Sequence, residues 1–204
     1  VTGQQAGLFG GPLYTLLKGL TAVALARRTS REHGVPAVAV FWIDAEDHDW
    51  NEVAGCSVLR ADLERATIAL PAPPGAGRIP VADVTLDESV SKALDQLADA
   101  LPPTEFTAGM LERLRLAYRP GVGFTQAFGC WLEAVMGPLG LVVFDAADAE
   151  VEVPRRHHCH WLPADRDHQR GLFRPAPAAA VQEHRLSRRA VRAAGYGCGG
   201  GEGR

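Results

Sequence analysis

Residues 35–49 read VPAVAVFWIDAEDHD, and that stretch decides the fold. The run from Val35 to Ile43 is apolar at every position. Such a run fits a strand buried on both faces, as in a parallel sheet covered by helices. Pro36 lacks an N–H, so regular pairing should begin just after it. The polar burst Asp44-Ala-Glu-Asp-His-Asp49 then ends the strand. In open α/β sheets, ligands sit beyond the carboxyl ends of strands, so this burst is also a candidate site.

Upstream lies TGQQAGLFGG, residues 2–11, a glycine-rich stretch predicted to be too flexible for an element interior. Pro12 opens a helix where a missing N–H costs nothing. Leu13, Leu16, Leu17, Leu20, Val23 and Ala24 share one face at helical spacing, and Gly34 is the stop. Downstream, short strands are predicted around Cys56–Arg60 and Ala66–Leu70, with a Pro/Gly-rich connection over 71–84. Thr85 and Glu88 form a capping-box pattern for a helix to about Ala100. Further helices are predicted over 104–118 and 125–136. The second has Phe124, Ala127, Phe128, Trp131, Leu132, Val135 and Met136 on its apolar side. Gly140 to Asp145 is another apolar strand ending in a carboxylate. This alternation predicts an α/β fold, a Rossmann-like, mostly parallel sheet with flanking helices. It covers residues 1–150 as a partial domain.

The chain of 204 residues is 47% hydrophobic and 22% charged, with a net charge of −3. That is ordinary for a globular protein and exerts no overall pull toward nucleic acid or an acidic membrane. No apolar run is long enough to span a bilayer and no signal peptide is visible. The charge is uneven, however. Residues 1–150 hold 11 basic and 19 acidic side chains, whereas residues 151–204 hold 10 basic, all Arg, and 5 acidic. The pattern of elements also stops near Val151, leaving an irregular Arg/His/Pro-rich C-terminal segment. A frameshift or non-native join is the expectation there. Val1 stands where no initiator Met does, so a natural N-terminal region is expected to be missing. Cys56, Cys130, Cys159 and Cys198 form no CxxC pair, which fits a reducing, cytoplasmic setting.

Three places are candidates for chemistry. At the first, Gly10 and Gly11 allow close backbone approach, and the following helix offers free N–H groups to an anion. Tyr14, Thr15 and Lys18 lie in its first two turns. The spacing is neither GxGxxG nor a P-loop, and a tight turn with a helix cap is the competing structural explanation. The second is Glu46-Asp47-His48-Asp49 with Glu52. Three carboxylates and an imidazole there could supply a general base, hold a metal or bind hydroxyls; a solvated acidic loop is the bland alternative. The third, His157-His158-Cys159-His160 with His168, lacks a second ligand pair at finger spacing, so no metal site is expected from it. The Arg-rich stretch 185–192 has no interleaved aromatics for stacking bases. Cys56 has no partner pattern for a nucleophile.

Taken together, TGQQAGLFGGPLYTLLKGLTAVALA and VFWIDAEDHDWNEV resemble the bacillithiol biosynthesis cysteine-adding enzymes, the BshC family. FTQAFGCWLEAVMGPLGLVVFDAAD is similar to that family's next helix and strand. The resemblance spans roughly residues 1–150, with both the family's N-terminal segment and its C-terminal coiled coil missing. It implies a Rossmann-like core and a ligase that joins cysteine to glucosaminyl-malate by an amide bond, completing a low-molecular-weight thiol. The implied partners are these small molecules, with a homodimer in the complete protein and neither nucleic acid nor membrane. The activating cofactor is unknown, ATP or another nucleotide being the class considered.

On this reading Asp47, His48 and Glu46 are catalytic, and Asp47 or His48 takes the proton of the attacking amine. Gln4 and Gln5 bind sugar hydroxyls. Gly10, Gly11, Tyr14, Thr15 and Lys18 cradle an anionic group, and Asp49 contacts substrate. The glycine-lined helix entrance and the acidic strand exit should face each other across one shared cleft. Rival readings are a metal-dependent amidase or deacetylase using Glu46–Asp49, and a non-enzymatic binding module acting through its arginines.

Overall fold

The computed structural model describes residues 1–147. Three parallel strands form the main sheet: β1 (Thr2–Gln5), β2 (Ala39–Asp44) and β5 (Leu141–Asp145), in the order β1-β2-β5. Thr2 pairs with Phe41, and Phe41 in turn with Val143. Helix α1 (Tyr14–His33) connects β1 to β2, and α5 (Phe124–Met136) leads into β5. This parallel sheet with flanking helices is the predicted Rossmann-like architecture. Between β2 and α5 lie the short helix α2 (Trp50–Val53), an antiparallel hairpin of β3 (Gly55–Leu59) and β4 (Arg65–Ala69), and helices α3 (Ser89–Ala100) and α4 (Thr107–Ala117).

The core lies between α5 and one face of the sheet. Phe41, Ile43, Phe124, Phe128 and Leu132 are fully buried there, and the Phe41 and Phe128 rings stand 6.2 Å apart. Gly129 of α5 sits so close to the sheet that an added Cβ would stand 3.3 Å from Ile43 Cδ1. The apolar side predicted for α5 is the buried one, with Val135 only partly covered.

Four expectations change. First, the glycine-rich stretch contains a strand, because Thr2–Gln5 pairs with β2 along its length; backbone pairing overrides the entropy cost of Gly3. Second, β2 is not buried on both faces among the described residues. Ala39, Phe41 and Ile43 are buried, but Trp42 is 44% exposed and rests on Phe144. Both crossovers run the same way across the sheet, so right-handed connection sets α1 and α5 on the same face.

Third, the leucine stripe of α1 faces outward: Leu13, Leu17 and Leu20 are exposed, whereas Thr15, Gly19 and Val23 are buried. At Gly19 an added Cβ would stand 3.0 Å from Met136 Cε and 3.3 Å from Leu141 Cδ2. Only small side chains fit so close an approach. Fourth, Thr85 does not cap α3. It bridges to Gly123, while Asp87 Oδ1 accepts from the Ser89 N–H at 2.8 Å. Gly34 ends α1 as predicted, in the left-handed conformation at φ 65°. The His157–His160 group, His168 and the Arg-rich stretch 185–192 lie outside the described residues.

Candidate functional site

Both candidate segments leave the carboxyl edge of the sheet, one after β1 and one after β2. Parallel pairing sets Gln5 beside Asp44, which brings the glutamine pair next to the acidic turn. A one-directional chain of hydrogen bonds joins the two. Lys18 Nζ donates to Gln4 Oε1 at 2.7 Å and to the Gly3 carbonyl at 3.2 Å. Gln4 Nε2 donates to Gln5 Oε1 at 3.1 Å and to the Tyr14 hydroxyl at 3.3 Å. Gln5 Nε2 donates to Asp47 Oδ2, and to Glu52 Oε2 at 3.2 Å. The ammonium of Lys18 also lies 5.2 Å from the centre of the Tyr14 ring. A cation at one end, a carboxylate at the other and two amides aligned between them reinforce one another.

The acidic turn is shaped by its own carboxylates. Asp47 Oδ1 accepts from the backbone N–H groups of His48 at 2.6 Å and Asp49 at 3.1 Å. The Gln5 amide, followed by these two N–H groups, holds the Asp47 carboxyl below the usual carboxylate range. Asp47 is therefore a stable anion and a weak base. Asp49 caps α2 by accepting from the Glu52 N–H at 3.3 Å. Glu46 and His48 are exposed. Of the three residues predicted to be catalytic, His48 and Glu46 remain open to solvent, while Asp47 is occupied in organising the turn.

The glycine turn behaves differently. Phe9, Gly10 and Gly11 all have positive φ, at 52°, 98° and 68°. For Phe9 that conformation costs roughly 1–2 kcal/mol. The turn amides point inward: Gly10 N–H donates to the Gly7 carbonyl at 3.1 Å and the Tyr118 hydroxyl at 3.2 Å, and Gly11 N–H to the Leu8 carbonyl at 3.0 Å. A Cβ at Gly10 would fall 2.4 Å from the Trp131 ring. These glycines serve close packing and do not build an anion cradle. Thr15 is fully buried, and its hydroxyl oxygen has no partner. The predicted cradle of Gly10, Gly11, Tyr14, Thr15 and Lys18 thus reduces to Tyr14 and Lys18, the members that stay accessible.

The single shared cleft is also corrected. Tyr14 and Lys18 line one depression of about 490 Å³ with Thr2, Leu17 and Val38. Asp47, His48 and Asp49 line another of about 530 Å³ with Trp50, Asn51 and Ala76. The hydrogen-bond chain, not a common cavity, connects the motifs. Among the described residues no three His, Cys, Asp or Glu side chains gather as a metal site, and Asp47 and Asp49 are turned to local backbone. Nor is any described helix long and apolar enough to cross a membrane. Burial pushes the Cys56 thiol up to about 11, which leaves it protonated and unreactive at neutral pH.

Tyr118 and Trp131, which hold the glycine turn, were not legible as partners of it. They lie more than a hundred residues away, and nothing local in sequence signals the pairing.

The comparisons with known proteins agree with this geometry. The family model described as "Bacillithiol biosynthesis BshC, N-terminal Rossmann-like domain" matches residues 1–160. A relative from Salinibacter ruber, named "Putative cysteine ligase BshC", is 34% identical over 201 residues, covering 96% of this chain and 34% of its own length. That match extends past residue 151, where the composition changes. Relatives of the same name from Symbiobacterium thermophilum and Chlorobaculum tepidum are 44% and 39% identical, covering 57% and 72% of this chain but 21% and 26% of their own lengths. The chain thus spans about a third or less of these curated relatives. With two-thirds or more of its length matched by the family's N-terminal domain, and with both of its carboxyl-edge motifs in that fold, the chain belongs to the BshC family.

Proposed function

We propose that this domain forms part of a cysteine ligase of bacillithiol biosynthesis, joining the carboxyl group of cysteine to the amino group of glucosaminyl-malate. The reading is supported by the relatives' name and by one structural observation above all, the hydrogen-bonded chain from Lys18 through Gln4 and Gln5 to Asp47. It places an accessible cation and a fixed anion at the two ends of one rigid array. Lys18, with the Tyr14 hydroxyl beside it, is suited to the malate carboxylates. The Asp47 carboxylate is suited to an ammonium or to sugar hydroxyls, with Asp49 flanking it. Rigid placement of both partners lowers the entropic part of the barrier to amide formation.

The amine must lose a proton before it attacks. Asp47 is held too acidic for that step, which assigns it to His48, with Glu46 as the neighbouring carboxylate. Gln4 and Gln5 act through the array, fixing Lys18 and Asp47, in place of direct contact with sugar. Activation of the cysteine carboxyl requires a co-reactant that turns its oxygen into a leaving group, and a nucleotide such as ATP is the class that supplies one. The inward-facing amides of Gly10 and Gly11 do not fit a phosphate, so no step is routed through that turn. The setting is the cytoplasm, with a homodimer as the assembly of the complete protein.

The test uses the full-length protein and measures the thiol product from cysteine and glucosaminyl-malate. Lys18→Ala should raise KM for glucosaminyl-malate at least tenfold, and His48→Gln should lower kcat by about a hundredfold, the scale of general base catalysis. Near-normal turnover in both variants overturns the role assignment.

A further inference from the structure

Three residues in a row, Phe9 to Gly11, hold left-handed backbone between β1 and α1. One of them carries a large side chain, so the turn persists only where its surroundings over-determine it. Tyr118, directly after α4, supplies that constraint from more than a hundred residues away. Its side chain is 1% exposed. Its hydroxyl donates to the Gly7 carbonyl at 2.9 Å and accepts from Gly10 N–H at 3.2 Å, bridging the two ends of the turn. Its ring meets the Phe9 ring edge-on, with centroids 5.2 Å apart and planes at 78°. Burial pushes the phenol's ionisation well above its ordinary value, so the hydroxyl keeps the proton it donates.

The turn feeds directly into α1. Pro12 accepts from the Thr15 N–H at 2.9 Å, and Tyr14 and Lys18 follow within two helical turns. Any slack between Gly7 and Gly11 is therefore transmitted to the Lys18 ammonium and its bonds to Gly3 and Gln4. We propose that Tyr118 is a positioning residue for the ligase reaction: its hydroxyl locks the β1–α1 turn and so sets Tyr14 and Lys18 at the anion-binding end of the array. The inference rests on the reading of Lys18 given under Proposed function. It adds a residue that touches no substrate and belongs to neither carboxyl-edge motif.

The discriminating variant is Tyr118→Phe in the full-length protein, which keeps the ring against Phe9 and deletes only the bridge. Hydrogen–deuterium exchange should rise at least tenfold in the peptide covering residues 7–13 and stay unchanged in α5. KM for glucosaminyl-malate should rise about tenfold. In a Lys18→Ala background, the same substitution should cause no further rise, because the group it positions is gone. Unchanged exchange at 7–13 overturns the proposal, as does an equal KM penalty with and without Lys18. A neutral Lys18→Ala with raised exchange in Tyr118→Phe instead sinks the reading of Lys18 while leaving the lock intact as a structural feature. If Tyr118→Phe fails to fold, Phe9→Leu removes the ring contact and keeps the bridge. Protection of residues 7–13 should survive there, and its loss overturns the assignment to the hydroxyl.

Discussion

The turn after β1 and the turn after β2 leave the same edge of one sheet, yet they direct their polar groups in opposite senses. The glycine turn faces inward: its amides bond to Gly7, Leu8 and Tyr118, and Trp131 closes over Gly10. The acidic turn uses one carboxylate, Asp47, to fold itself and leaves Glu46 and His48 in solvent. Glycine content and position at a strand exit made both look like ligand sites. The destination of each N–H and each carboxylate is what separates a packing device from a site.

The largest effect that would break this contrast is at Gly10. Gly10→Ala adds a Cβ 2.4 Å from the Trp131 ring at a φ of 98°, and overpacking together with backbone strain should cost about 3 kcal/mol or more. Urea unfolding checks it, and a stability close to wild type would mean that the turn is more open than described here. The acidic turn should yield far less. Asp49→Ala removes the side chain that accepts from Glu52 N–H at the start of α2, a loss of about 1 kcal/mol in the same measurement. A penalty as large as that at Gly10 would erase the distinction between the two turns.

The smallest effect is a titration. Asp47 has a depressed value in the folded protein, so the stability it contributes is present above the unfolded-state value and is lost as pH falls through the lower folded-state value. Carboxyl carbon NMR should show Asp47 still ionised below the ordinary aspartate range. Gln5→Leu should move its midpoint upward, because the Gln5 amide is the leading cause of the depression. No movement would separate β1 from the acidic turn and shorten the array by one link.

Much of the fold was legible before coordinates. Gly34 ends α1 because a left-handed stop wants glycine. The apolar side of α5 is buried because its residues recur at helical spacing over thirteen positions. The hairpin strands also fall within a residue of where their composition put them. The inward face of α1 was misjudged for a physical reason. Periodicity marks where the bulky apolar residues are, but a helix this close to a sheet turns its smallest side chains inward, and Gly19 has room for nothing larger without displacing Met136. β1 was missed because four residues with no apolar run gain their order from pairing with β2, not from local preference.

Sequence alone determined the α/β alternation, the two carboxyl-edge motifs and the family they resemble, since each depends on spacing along the chain. Tertiary structure alone decided that Gln4 and Gln5 join Lys18 to Asp47, that Asp47 is an anion and not a base, and that Tyr118 holds the glycine turn. Those outcomes depend on which donors and acceptors meet once distant segments are brought together, and a hydrogen bond between residues a hundred positions apart leaves no periodic trace in the chain.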